Sequence, residues 1–368
     1  MFHCNHLTSV GIASAIRERP NLKSFSISFC KIGEIRRMYI NSKMVNSLRN
    51  LKGLTCLDLS SSHISDHLLS SLAQQGLPLK RLSLKNCMGY SYAGIFCLLS
   101  KCRFLQHLDL QYSFFLDDQY LAGLSLVLGN LVSINLSHCR DITELTLLSL
   151  VKKCPFLSEI RMKYTGIGNI PEKNYNSLMD FVVYPQVKSL YLAHNPWLKN
   201  ECIKILASLF PNLQVLDLKD CHCHRIFEGI VEVLRCCKIT HLNLRSFSTL
   251  NLLSMNFQVP KLEVLNLSKT KIDDETSYVI SKSCCGLLQL DLELCDRITE
   301  KGVRHVVENC KRLRVINLWD CHNVCADVNF WMMMVISRPS LRKIMAPSHF
   351  FPHDDKWKPL LDHGCHVF

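Results

Sequence analysis

The stretch Leu287–Leu313, LLQLDLELCDRITEKGVRHVVENCKRL, decides the fold. Leu287, Leu290 and Leu292 are spaced Leu-x-x-Leu-x-Leu, and from Leu290 apolar and polar residues alternate. That alternation is the pattern of a strand buried on one face. Cys295 follows, then Ile298-Thr299, where Thr299 can cap a helix by accepting from its unpaired N–H groups. The helix ends near Cys310, and Leu313 begins the same pattern again.

Copies extend in both directions. Their first apolar positions are Leu22, Leu54, Leu79, Leu105, Leu131, Leu157, Val187, Leu213, Ile239, Leu262, Leu287, Leu313 and Leu341. Between Leu54 and Leu157 the steps are 25, 26, 26 and 26 residues. A period in the range of about 20–29 residues marks a leucine-rich repeat, in which each unit buries its apolar face only against its neighbours. The predicted fold is therefore an α/β solenoid, a horseshoe of about thirteen units. A parallel sheet lines its concave face, and helices cover its convex face. Residues 1–347 form the repeat domain, and 348–368 a capping tail. The unit from Leu157 to Val187 is 30 residues long and carries Gly166, Gly168, Pro171 and Pro185, so 165–184 is expected to protrude as a loop.

Cysteine is locked to the repeat. Cys30, Cys87, Cys139, Cys221, Cys295 and Cys321 stand just after the strand, and Cys102, Cys154, Cys236, Cys284 and Cys310 near the helix end. Small buried residues account for both sets. With this phasing, the chain resembles the cysteine-containing leucine-rich repeats of the ribonuclease-inhibitor-like superfamily, as found in plant F-box/leucine-rich-repeat proteins. The resemblance implies a substrate-recognition module of an SCF, or cullin-type, ubiquitin ligase, acting in proteasomal degradation. In that family an N-terminal F-box holds the ligase adaptor while the repeats hold the protein to be ubiquitinated. Here Cys4, Leu7-Thr8 and Ile12 already read as half a repeat, so no F-box is expected within this chain, and adaptor binding would need one upstream. The alternative is a stand-alone interaction scaffold without a ligase link. With no terminal cap in front of it, the strand at Ser24–Ile27 is expected to expose an edge and apolar surface.

No apolar leader opens the chain, and the run Val328–Ile336 is too short to span a bilayer. Twenty cysteines without an export signal point to reduced thiols, and to the cytoplasm or nucleus. The net charge of +12 bears on partners rather than on fold, and no Lys/Arg block of the nucleic-acid-tail kind is present. Cys221-His222-Cys223-His224 has metal-binding residue types, but Cys221 is a repeat position and no quartet of suitable spacing converges. There is no nucleophile elbow, phosphate loop or zincin motif. The expectation is a monomeric binding protein, not an enzyme, without metal or cofactor, bound to neither nucleic acid nor membrane.

The outward strand positions are the candidate site. Their middle column runs from Ser26 and Asp58 through Asn135 and Arg161 to Asp291 and Asn317. Beside it stand Arg81, Lys85, Arg161, Lys163, Lys219 and Arg245, which suit an acidic or phosphorylated protein segment. Aromatic residues in the loops after the strands, Tyr112, Phe115, Trp197 and Trp319 foremost, are candidate anchors.

Overall fold

Strands of three residues recur along the chain, each centred on an inward Leu or Ile or its equivalent. The computed structural model describes residues 8–27, 38–169, 182–221, 227–247, 252–324, 328–348 and 358–367. The chain divides into two compact units, Met1–Ile167 and Gly168–Phe368. The division falls inside the segment expected to protrude, of which residues 170–181 lie outside the described residues.

The first unit runs α1 (Ser9–Arg17), β1 (Ser24–Ser26), β2 (Met38–Tyr39), α2 (Ser42–Arg49), β3 (Cys56–Asp58), β4 (Ser62–His63) and α3 (Asp66–Gln74). It continues with β5 (Arg81–Ser83), α4 (Tyr92–Leu99), β6 (His107–Asp109), α5 (Asp118–Ser125), β7 (Ser133–Asn135), α6 (Glu144–Lys153) and β8 (Glu159–Arg161). Strands β1, β3, β5, β6, β7 and β8 form one parallel sheet, and β2 pairs with β4 beside it. The register places Leu57, Leu82, Leu108, Ile134 and Ile160 side by side.

The second unit runs β9 (Ser189–Tyr191), α7 (Asn200–Leu209), β10 (Val215–Asp217), α8 (Phe227–Cys236), β11 (His241–Asn243), β12 (Val264–Asn266) and α9 (Asp274–Ser283). Then follow β13 (Gln289–Asp291), α10 (Glu300–Asn309), β14 (Val315–Asn317), α11 (Val328–Ser337), β15 (Lys343–Met345), α12 (Lys358–Asp362) and β16 (His366–Val367). Its strands are parallel and pair in chain order. Beyond β15 the tail adds β16, so this edge of β15 is paired.

Each leucine completely removed from water contributes about 1.5–3 kcal/mol, and the inward rows are buried throughout: Leu82, Leu84, Leu108, Leu110, Ile134 and Leu136 in successive strands. The helices supply the opposing layer, as Ile95, Leu98 and Leu99 do from α4. At Ser24–Ile27, β1 stands at the edge of the sheet as expected, pairing with β3, but the side chains of Phe25 and Ile27 are buried rather than exposed. An apolar groove of about 630 Å³, lined by Ile12, Ile16, Leu22 and Phe25, runs beside β1.

Successive helices are stapled through their first turns. The Asp118 carboxylate, in the first turn of α5, accepts from the N–H and hydroxyl of Thr143, the N-cap of α6, at 2.8 and 2.7 Å. Asp274 in α9 does the same for Thr299, the N-cap of α10. A carboxylate there also suits the positive end of the helix dipole.

Two cysteine assignments shift. Cys236 is exposed, while Cys237 is half-buried with its thiol directed at the Ala207 carbonyl. The link Cys237-Lys238-Ile239 is one residue shorter than Cys154-Pro155-Phe156-Leu157, so the second cysteine takes the helix-end place. Cys4 and Cys30 lie outside the described residues.

Candidate protein-binding surface

The strands end in a repeated polar turn that builds the outward face. Asp58, Asp109, Asn135, Asp217, Asn243, Asn266, Asp291 and Asn317 each accept, through Oδ1, the backbone N–H two residues on. Such an Asx turn lets the chain leave the strand without an unpaired N–H. Several of these side chains also join across strands. The Asn135 amide donates to Asp109 Oδ2 at 3.1 Å, and the amides of Asn266 and Asn317 donate to Asp291 at 3.2 and 3.0 Å. Burial pushes the Asp109 and Asp291 carboxyls up, against these hydrogen bonds. The middle column is therefore a structural ladder as well as a surface.

The next residues take the left-handed conformation: Ser61, Asn86, Tyr112, His138 and Tyr164 in the first unit, and His194, Asp220, Ser246, Lys269, Leu294 and Asp320 in the second. Most of their N–H groups extend the strand ladder by one bond, as in Tyr112 N–H to Ser137 O at 3.1 Å and His138 N–H to Lys163 O at 2.7 Å. After each comes a buried position. There the thiols of Cys87, Cys139, Cys221, Cys295 and Cys321 donate to a carbonyl of the preceding strand exit. Ser62, Ser113, Thr165, Asn195 and Thr270 fill the same place in other units, and the apolar Phe247 fills it in another.

The basic residues are placed as expected on the outward side, but their partners differ. In the first unit a shallow depression of about 440 Å³ is lined by Asp58, Arg81, His107, Asp109, Glu159 and Arg161, among others. Arg161 donates to Glu159 at 2.8 Å. Desolvation, and after it the charge of the exposed Arg81, lower the pKa of His107, whose ring meets Ser133 Oγ at 2.7 Å. Lys85 is exposed and Lys163 half-buried at the strand exits. In the second unit Arg245 forms a two-point ion pair with Glu293 at 3.1 and 3.3 Å and bonds Ser268 at 3.0 Å. Glu293 thereby raises the Arg245 pKa. Lys219 lies 3.8 Å from Asp220. The surface is thus charge-mixed rather than uniformly basic.

The aromatic candidates separate into two kinds. Tyr90 is buried in the core with its hydroxyl on Ser113, and the half-buried Phe115 packs edge-on against it at 5.2 Å. Trp197 and Trp319 are 58% and 46% exposed, in the second unit. Tyr112 stacks on His138 at 4.1 Å and His138 on Tyr164 at 4.4 Å, a three-ring column in the first unit. The signal for this column was the recurrence of Tyr, His, Tyr seven residues after each first apolar position.

Among the described residues no group of three His, Cys, Asp or Glu could hold a metal ion. His222, Cys223 and His224 lie outside them. Among the described residues, no helix is long and apolar enough to cross a membrane.

Comparisons agree with this architecture. No protein-family profile matches the chain. F-box/LRR-repeat protein 4 of Bos taurus is 22% identical over 218 residues, 58% of this chain and 35% of the bovine protein. The chain thus spans about a third of that relative's length. Among solved structures, Rad7 from the yeast complex of Rad7 and Elc1 is similar with a TM-score of 0.57, 16% identity and coverage of 98% and 88% of the two chains. An internalin (inlF) from Listeria monocytogenes is similar with a TM-score of 0.59, 15% identity and coverage of 97% and 93%. The fold is a leucine-rich-repeat solenoid.

Proposed function

We propose that this chain is a protein-binding module that selects substrates for a cullin-type ubiquitin ligase, acting by recognition and not by catalysis. The observation that carries the binding reading is the outward strand face. Its side chains are held by the Asx turns and by cross-strand hydrogen bonds, so it is ordered before any partner arrives. Pre-ordered polar groups beside exposed rings such as Trp319 lower the entropic cost of association. The partner is an acidic or phosphorylated protein segment, met in the first unit by Arg81, Lys85, Arg161 and Lys163 and in the second by Lys219 and Arg245. The ligase reading rests on the similarity to F-box/LRR-repeat protein 4 over 218 residues.

Quantitative proteomics on cells depleted of the protein, and on cells with it restored, tests both levels. A bound partner whose abundance rises on depletion and falls on restoration supports the ligase reading. A bound partner of unchanged abundance and ubiquitination would leave an interaction scaffold in its place.

A further inference from the structure

The helix-to-strand edge of the first unit carries an excess of positive charge. The links 17–23, 49–55, 74–80, 100–106, 126–132 and 152–158 contain one acid, Glu18, while five of the six contain Lys or Arg. Cations at helix C-termini complement the helix dipole, which accounts for those in the last turns. It does not account for Lys80 and Arg103, which lie in the links beyond the helix ends, nor for apolar rings among them. Phe104 and Phe156 are 63% and 60% exposed on this edge.

These two rings belong to one cleft. Phe104 precedes β6, Asn130 precedes β7 and Phe156 precedes β8, and the three strands are consecutive in the sheet. Phe104 and Phe156 therefore stand two strand spacings apart, about 10 Å. With Lys80, Gln106, Asn130 and Val132 they line a cleft of about 410 Å³. The Asn130 amide donates to the Arg103 carbonyl at 2.8 Å, which ties the link before β7 to the one before β6. Lys80, Lys101, Arg103 and Lys153 are exposed around it, and among the described residues none of the four forms an ion pair.

We propose that this cleft is a docking site for an acidic peptide segment that inserts one apolar side chain between Phe104 and Phe156. A side chain centred between rings about 10 Å apart meets each at about 5 Å, inside the usual range for ring contacts. The flanking carboxylates face the unpaired cations. The helix ends decide between a peptide and a nucleic acid. Helices α4, α5 and α6 direct their C-termini to this edge, where the negative end of each dipole disfavours a densely charged polyanion. A peptide brings a modest charge density. A phosphodiester strand brings one charge for every nucleotide. The proposal rests on the reading of the chain as a protein-binding module, and adds a surface separate from the outward strand face.

The test uses the full chain and three fluorescein-labelled probes in anisotropy titrations: a short Asp/Glu peptide with a central phenylalanine, the same peptide with serine at its centre, and an oligothymidylate of equal charge. The expected result is binding of the first probe that weakens with salt, with about tenfold or greater loss for the serine probe and for the double variant F104S/F156S. K101E/R103E should lose as much, while K271E/K301E, a charge reversal of the same size at exposed positions of the second unit, should bind as the unaltered protein does. All substituted edge positions are exposed, and thermal melting checks that the variants fold. Undiminished binding by F104S/F156S, equal binding of the serine probe, or preference for the oligothymidylate would overturn the proposal. A loss as large for K271E/K301E would overturn it too, as would one confined to R161E/K163E, which would leave the outward strand face as the binding site of the module.

Discussion

Asn135 and Leu136 are neighbours with opposite duties. The Asn135 side chain accepts from Ser137 N–H and donates to Asp109, while Leu136 is fully buried. Facing alone suggests that an outward Asn→Ala change is silent for stability. The two hydrogen bonds revise that to a loss of about 1 kcal/mol for Asn135→Ala. Leu136→Asp buries a charge without a partner and should cost several kcal/mol, as should Leu292→Asp. Thermal melting of the Asn135 and Leu136 variants checks the order, and equal Tm values would contradict the strand facing. Residue by residue, the repeat made the inward rows legible, because burial imposes period two. It did not reveal that the outward Asp and Asn residues are turn formers, since a solvated polar residue and an Asx-turn residue look alike in sequence. Nor did it show that serine, threonine and asparagine share the buried post-strand place with cysteine, because the eye follows the rarer residue.

Between elements, the first-turn carboxylates carry the coupling from one helix to the next. Gly302 sits where α10 passes Asp274: its N–H donates to Asp274 Oδ1 at 3.0 Å, and a Cβ there would collide with that same oxygen. Gly302→Ala should therefore displace the staple and cost about 1–3 kcal/mol. Gly53→Ala meets nothing within 4 Å and should be neutral or slightly stabilising. Chemical denaturation of the two variants distinguishes them, and an equal effect would remove the staple from the account. The Ile-Thr pairs that announced helix starts were legible as caps. Their second partner, an acid one repeat earlier, was not, because the contact spans 25 residues. The helix end at Cys236-Cys237 was misread for a simpler reason. A one-residue deletion in the link moves the buried place by one, and repeat arithmetic counts only from the following strand.

Across the whole molecule, buried thiols set the response to alkali. Burial pushes Cys102, Cys139, Cys237, Cys284, Cys310 and Cys321 up to about 12, from an ordinary value of 9.0. A thiol whose pKa is higher folded than unfolded keeps its proton longer in the native state. Its contribution to stability is fully present below about 9 and is lost as pH rises from there towards about 12. Tm should therefore fall steeply above pH 9, and an unchanged Tm from pH 8 to pH 10.5 would contradict the burial. Under native conditions near pH 8, among the described cysteines, alkylation should reach the exposed Cys236 and Cys285 first and the buried set only after unfolding. Rapid labelling of Cys139 or Cys321 would be the opposite result.

At the same scale the charge pattern reads as function rather than fold. The formal charge of +12 located no surface by itself, since only the repeat register assigns cations to the helix-to-strand edge or to the strand face. The central claim is that the outward strand face meets a partner protein, and site-directed photo-crosslinking measures it most directly. A photoreactive group placed at His107 or Ser133, in the outward depression of the first unit, should give a discrete protein adduct in cells. The same group at Gln119 or Leu145, exposed on the helices, should give none above background. Adducts from the helix positions with none from His107 or Ser133 would contradict the account.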